Sequence, residues 1–219
     1  MSKQRLLVLG ATGPTGLHFC EAALRNNHPL TLYVRNPSKL HPTITSNPTV
    51  KVIKGELTSQ EGLESAVASG ASILISFLGP GPGHQGTPLA NAYKSLFPLL
   101  QTHSYTRALI LSTASWYSTP PDVLTVKWRA IASLVWTFAG AAYKDINAVG
   151  DFVSKVPVSE VKWTMFRVPF LNDGEVRETF AGPLDGRAGL KLSRKSMVEW
   201  VLREVGGEEW VGKAPCLWN

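Results

Sequence analysis

The residues best suited to chemistry lie near the start of the chain. Gly10-Ala11-Thr12-Gly13-Pro14-Thr15-Gly16 follows a short apolar run, Leu6–Leu9, and opens a helical pattern. Backbone can approach a pyrophosphate closely only where no Cβ intervenes, so glycines at the turn, the contact point and the helix–strand packing point make a phosphate cradle. The helix start adds unpaired N–H groups and the positive end of its dipole. Pro14 suits the first helical position, where its missing N–H costs nothing. A glycine motif alone says little, but strand, loop and helix agree here. Dinucleotide binding through Gly10, Thr12, Gly13, Pro14, Thr15 and Gly16 is the expectation.

The end of the second apolar run selects the dinucleotide. A free ribose 2′-hydroxyl usually meets a carboxylate about 20 residues past the glycines, whereas a 2′-phosphate calls for arginine. Leu30-Thr31-Leu32-Tyr33-Val34 ends at Arg35, with no acid beside it and Lys39 just beyond. A guanidinium can hold a phosphate with two hydrogen bonds and stack on adenine. NADP(H) is therefore the expected cofactor.

Other constellations carry less. His18, His28, His41, His84 and His103 occur singly, so no metal site is expected, and no Gly-x-Ser-x-Gly marks a serine hydrolase. Gly79-Pro80-Gly81-Pro82-Gly83-His84-Gln85-Gly86 is a stiff loop that reads equally as a substrate lid or a plain connection. Trp116, Tyr117, Trp128, Trp136, Phe138 and Tyr143 crowd one segment, as core or as the wall of a pocket for a flat apolar ligand.

The elements needed to hold these residues alternate. Strands are predicted at Leu6–Leu9, Leu30–Val34, Val50–Ile53, Ala71–Phe77, Ala108–Leu111 and Trp163–Val168, and helices at Gly16–Asn26, Gln60–Ser69, Leu89–Thr102 and Val123–Val153. Strands apolar on both faces, separated by helices, mean a parallel sheet covered on both sides: an α/β, Rossmann-like, doubly wound fold. Ser196-Met197-Val198-Glu199 reads as a capping box opening a last helix through Val205, which Gly206-Gly207 would stop, and 172–189 reads as irregular. One domain over 1–219 is expected, with 172–219 as a C-terminal, substrate-side appendage.

Composition bounds the partners. The 219 residues carry 22 basic and 16 acidic side chains, for a net charge of +6, which favours anionic ligands. The cations are scattered, without the basic tract of a nucleic-acid arm. The uncharged run Ala130–Ala142 falls short of the about 20 residues needed to cross a bilayer and is expected to form a buried helix or pocket wall. Met1-Ser2-Lys3-Gln4-Arg5 leads directly into Leu6–Leu9, unlike a secretory leader. Cys20 and Cys216 lie far apart and form no CxxC, as in a reducing compartment. These features predict a cytoplasmic protein, monomer or homodimer, with a small-molecule partner and neither nucleic acid nor membrane.

The loop GATGPTG, Tyr33-Val34-Arg35-Asn36-Pro37-Ser38-Lys39-Leu40, Gly55-Glu56-Leu57-Thr58, Ser112-Thr113-Ala114-Ser115, Trp163-Thr164-Met165-Phe166-Arg167-Val168-Pro169 and Leu184-Asp185-Gly186 together carry a likeness. They resemble the atypical, NmrA-like short-chain dehydrogenase/reductase group of NAD(P)-binding proteins, and within it the biliverdin-IXβ reductase/flavin reductase type. The resemblance implies that Glu56 and Leu57 sit beside adenine, and that Phe77, Leu78 and Gly79 line the adenosine side. It further implies that Ser112 and Thr113 lie near the nicotinamide, with Val168, Pro169 and Phe170 closing over it.

The chain departs from the wider group in its acid. No tyrosine has lysine four residues on, the helical spacing that lets an ammonium lower a phenol's pKa. Tyr143 and Lys144 are adjacent and so point about 100° apart on a helix. Where the biliverdin-IXβ type carries Thr-Ser, this chain has Thr113-Ala114. Candidate catalytic residues are thus Ser112, Thr113, Tyr117, Tyr143 and Lys144, with water as a further proton source. The expected function is NADPH-dependent reduction of a flat conjugated molecule such as an enone, quinone, flavin or tetrapyrrole. A redox-neutral isomerase or cyclase, or a non-catalytic NADP(H) sensor, are the alternatives.

Overall fold

In the computed structural model, which describes residues 3–81, 83–118 and 120–219, the chain alternates strand and helix. The order is β1 (Leu6–Leu9), α1 (Pro14–Arg25), β2 (Leu30–Val34), α2 (Pro42–Thr45), β3 (Val50–Lys54), α3 (Gln60–Val67), β4 (Ile73–Ser76) and α4 (Pro88–Thr102). Then come β5 (Arg107–Thr113), α5 (Val126–Val153), β6 (Lys162–Val168), β7 (Phe170–Asn172), β8 (Phe180–Gly182), β9 (Lys191–Ser193), α6 (Arg194–Glu204) and β10 (Cys216–Trp218).

The apolar runs form the sheet's centre because both their faces are covered. Leu6 and Val8 enter one core with Phe19 of α1 and Met197 and Val201 of α6. Leu7 and Leu9 enter the other with Leu63 of α3, Leu96 and Phe97 of α4 and Val149 of α5. The eight-stranded sheet runs β3-β2-β1-β4-β5-β6-β10-β8, parallel except for β8, which lies antiparallel to β10. Pairing Leu6 with Leu30 on one side and Ile73 on the other sets the register at its middle. Strand order reverses between β1 and β4, and an open α/β sheet offers its ligand crevice at such a switch point, beyond the carboxyl ends of the strands.

Three expectations need correction. The tail 172–219 does not stand apart: β8 and β10 complete the main sheet, and β7 pairs with β9. Helix α6 starts three residues early because Ser193, ending β9, is its cap and accepts from the Ser196 N–H at 3.4 Å. Ser196 is instead buried inside the helix, where its hydroxyl accepts from the Arg177 N–H at 2.9 Å. The third concerns Ala130–Ala142, which is a pocket wall and not a buried helix: Ala132, Ser133 and Trp136 line a cleft, while Leu134, Trp136 and Phe138 are all more than half exposed. The cause is a break in α5 at Ala139, where φ is −140° and ψ 42°. Before the break only Trp128, with Ile131 beside it, packs in, against Leu184, Ala188 and Cys216 of β10; beyond it the helix packs on the sheet through Ile146, Val149 and Val153.

Both thiols are fully buried, one on α1 and one on β10. Burial, with Glu21 nearby, pushes the Cys20 thiol up to about 12. Burial also pushes Cys216 up to about 11. The thiolate is the nucleophile, so raised values leave almost none at neutral or mildly alkaline pH. A thiol-titrating disulfide reagent is expected to find neither cysteine in the folded protein and both after denaturation. Rapid native labelling would contradict this.

Candidate functional site

The cradle is built by three glycines with three different surroundings. Gly10 has φ +74°, a left-handed conformation that side chains resist, and a Cβ there would lie 2.8 Å from the Phe77 carbonyl carbon. At Gly16 a Cβ would lie 2.2 Å from the Gly10 oxygen and 2.7 Å from Ala11 Cα, so α1 packs against the turn only without one. Gly13 differs, because a Cβ there would meet nothing nearer than the Gly10 oxygen at 3.5 Å. Protein packing does not require glycine at that point. What its missing Cβ leaves open is the approach to the start of α1. No side chain caps that helix, no acid lies in its first turn and Gly13 is itself the N-cap. Uncapped N–H groups at the positive end of a dipole, reached over a bare backbone, fit a bound phosphate.

A groove of about 510 Å³ runs from this corner across the strand ends. Gly10, Thr12 and Gly13 border it, then Tyr33 and Val34 at the end of β2 with Arg35 just beyond, Gly55 to Thr58 after β3, and Phe77, Leu78 and Gly79 after β4. The Arg35 side chain is exposed and has no carboxylate in ion-pair reach among the described residues. Tyr33 steadies the rim by donating its hydroxyl to the Glu56 carbonyl at 2.7 Å. Gly81, His84, Pro88 and Leu89 close the groove's far side. His84 Nε2 lies 2.9 Å from Asp145 Oδ2, and that fully buried carboxylate accepts the Leu89 and Ala90 N–H groups at 2.9 Å each. The N-terminus of α4 is therefore met by protein, whereas that of α1 is not.

A second cleft, about 730 Å³, opens against the first half of α5. Tyr117, Val123, Leu124, Arg129, Trp136 and Tyr143 line it, with Asp122 at its base. Asp122 is 2% exposed at its side chain and is held rigidly. It accepts from Arg167 Nη2 at 2.9 Å, Leu184 N at 2.7 Å and Ser118 N at 2.9 Å, as well as from Arg167 Nη1. With that carboxylate compensated by Arg167, the charge left over at the cleft is that of Arg129. Aromatic walls and one cation suit a flat ligand, apolar or anionic.

A family model described as NAD(P)H-binding matches residues 10–206. The chain belongs to this NAD(P)H-binding family. The isoflavone reductase homolog IRL of Zea mays is 36% identical over 83 residues, a match spanning 35% of this chain and 26% of that protein. A wide-type short-chain dehydrogenase/reductase from Veillonella parvula DSM 2008, solved in complex with NADP, shares the fold with a TM-score of 0.79 at 18% identity, over 99% of this chain and 94% of that one. ChuY, an anaerobillin reductase from Escherichia coli O157:H7, does so with a TM-score of 0.76 at 14% identity, over 97% and 96%.

For this NAD(P)H-binding protein the structure gathers Gly10, Thr12, Gly13, Arg35, Glu56, Leu57, Phe77, Leu78 and Gly79 around one groove. Pro14, Thr15 and Gly16 form the first turn of α1 behind it. Lys39 is exposed in the turn after Arg35 and does not line the groove. The Gly79–Gly86 loop borders the groove through Gly79, Gly81 and His84, and so is no lid over the aromatic cleft; its Pro82 lies outside the described residues, as do Met1 and Ser2 of the N-terminus.

The residues expected around the nicotinamide, Ser112, Thr113, Val168, Pro169 and Phe170, line neither cavity. Ser112 is fully buried, its hydroxyl has no hydrogen-bond partner among the described residues, and it lines neither cavity. The alternation of β5 turns it inward, while Thr113, one residue on, pairs its hydroxyl with Ser115 at 2.5 Å. Val168 is buried, Pro169 is half-buried and Phe170 points to solvent; none of the three lines either cavity. Tyr117 and Tyr143 share the second cleft, but Lys144 is exposed and outside it, as expected for adjacent residues on a helix. Of the aromatic segment, Trp136 joins those tyrosines, Trp116 and Trp128 are buried, and Phe138 stands 82% exposed.

Sequence reasoning missed Tyr33, Pro88, Leu89 and the His84–Asp145 pair. Nothing local marks that pair, since its members lie on a loop and a helix far apart in the chain. The Cβ clearance at Gly16 gives a direct test of the cradle. Gly16→Ala is expected to cost roughly 1–3 kcal/mol by overpacking and to weaken nucleotide binding with it. Thermal melts and a nucleotide titration read both effects, and an unchanged melt would show that the turn relaxes.

Proposed function

We propose that this protein is an NADPH-dependent reductase of a flat conjugated small molecule, acting as a single cytoplasmic unit. The observation that carries the reading is the uncapped start of α1 behind the bare Gly13, with Arg35 unpaired on the same groove. Gly10, Thr12, Gly13 and the α1 N–H groups would hold the pyrophosphate, Arg35 the 2′-phosphate, and Glu56, Leu57, Phe77 and Leu78 the adenosine. Bound NADPH supplies a hydride, the chemistry being largely the cofactor's own. The chain's part is to position the acceptor between Tyr117, Trp136 and Tyr143, to offset negative charge with Arg129, and to admit the proton. No lysine stands over either phenol, so water reaching the open cleft is the favoured proton source.

Titration with NADPH, NADP, NADH and NAD, followed by a screen of enones, quinones, flavins and linear tetrapyrroles for NADPH oxidation, tests the reading. Preferential NADPH binding with turnover of one such class supports it; no binding of any nicotinamide nucleotide ends it. In the active pair, Tyr117→Phe and Tyr143→Phe are each expected to lower kcat by less than about tenfold. A loss of roughly 10²–10⁴ would instead identify that phenol as the acid. The second reading, a redox-neutral isomerase or cyclase, is favoured by one feature: the two cavities share no lining residue. It requires product to form while the NADP(H) level stays constant.

A further inference from the structure

The first half of α5 is apolar on nearly every side and yet largely uncovered. Before the break at Ala139 only Trp128 is buried, while Leu134 is 56%, Trp136 57% and Phe138 82% exposed. A helix that is hydrophobic all round belongs in a core or against something else apolar, and an exposed patch of this kind marks a contact surface. The charge pattern says which surface. No acidic residue occurs between Asp122 and Asp145, while Lys127, Arg129 and Lys144 stand at the two ends of the uncharged turns.

We propose that this half-helix docks the protein on an anionic lipid bilayer, lying in the headgroup layer with Leu134 and Phe138 directed into it and with Lys144 and the exposed Lys127, whose Nζ also donates to the Ala188 carbonyl at 2.8 Å, over the lipid phosphates, while Arg129 stays in the cleft. Exposed aromatic and leucine side chains beside lysine and arginine are the composition of helices that rest in that interface. The helix does not cross, because its uncharged run is shorter than the about 20 residues a span needs. A symmetric pairing of two copies through this face fits less well, since it would set identical cations against one another. This proposal departs from the expectation of no membrane partner, which considered only whether the run is long enough to cross. Trp136 and Tyr117, both exposed in part, also line the second cleft. On the helix, however, the lining residues Ala132 and Trp136 lie on the face opposite Leu134 and Phe138, so docking leaves the cleft open to water; the docking does not rest on the reductase reading.

The test is sedimentation of the full chain with phosphatidylcholine vesicles, with and without phosphatidylserine. Binding is expected only with phosphatidylserine, to weaken as salt rises, and to fall roughly tenfold or more in Leu134→Glu/Phe138→Glu. Both positions are exposed and line neither cavity, so an unchanged melt and unchanged NADPH affinity serve as the folding controls. No sedimentation with anionic vesicles, equal sedimentation of the double variant, or a self-association that the double variant abolishes while vesicles are ignored would each overturn the proposal. NADPH titration of the same samples separates its failure from that of the reductase reading.

Discussion

Asp122→Ala is expected to remove about 3–5 kcal/mol of folding stability, out of the roughly 5–15 kcal/mol that a domain possesses. The reason lies in what the substitution leaves behind. Arg167 is 2% exposed at its side chain, with both terminal nitrogens on Asp122 and one also donating to the Trp116 carbonyl at 3.1 Å. Without the carboxylate a guanidinium stays buried and uncompensated, and the Leu184 and Ser118 N–H groups lose their acceptor as well. Removing one partner of a buried pair costs far more than removing both. Urea unfolding of Asp122→Ala and of Asp122→Leu/Arg167→Met checks this, with the double variant expected to recover much of the loss. A single-variant cost below about 1 kcal/mol would mean that water reaches the guanidinium. Because Asp122 forms the base of the aromatic cleft, ligand binding there should fail along with folding rather than independently of it.

Arg35→Ala is the second large effect, on affinity instead of stability. Loss of one charged hydrogen-bonding partner is expected to weaken NADPH by about 1.5–3 kcal/mol, roughly 10- to 150-fold in Kd. NADH, which lacks the 2′-phosphate, should bind as before. The side chain is exposed and has no ion-pair partner among the described residues, so the fold should be indifferent to its removal. Calorimetric titration of both nucleotides against both proteins measures the difference. Unchanged NADPH affinity would place the 2′-phosphate elsewhere, with Lys39 the next residue to replace.

How far the chain could be read follows from where the information resides. The cradle was legible because its chemistry is local: turn, approach and packing glycines fall within a few residues, next to a strand and a helix start. The sheet's centre was legible for a similar reason, since Leu6–Leu9 and Leu30–Val34 are apolar on both faces and admit one kind of environment. Arg35 followed from its position at the end of a strand. Three-residue strands such as Cys216–Trp218 were not, because so short a run has almost no periodicity and exists through the neighbours it pairs with.

Tertiary packing alone decided the rest. That Ser112 is sealed inside the sheet while Tyr117 and Tyr143 meet across a cleft depends on the twist of β5 and the course of the loop after it, which no spacing of residues reveals. The pairs Arg167–Asp122 and His84–Asp145 join distant segments in the same way. Most of all, the apolar turns before Ala139 have a composition that suits a core, and only the break in α5 carries them out to solvent. Composition sets what a segment would gain by burial; the geometry of its neighbours determines whether anything is there to bury it.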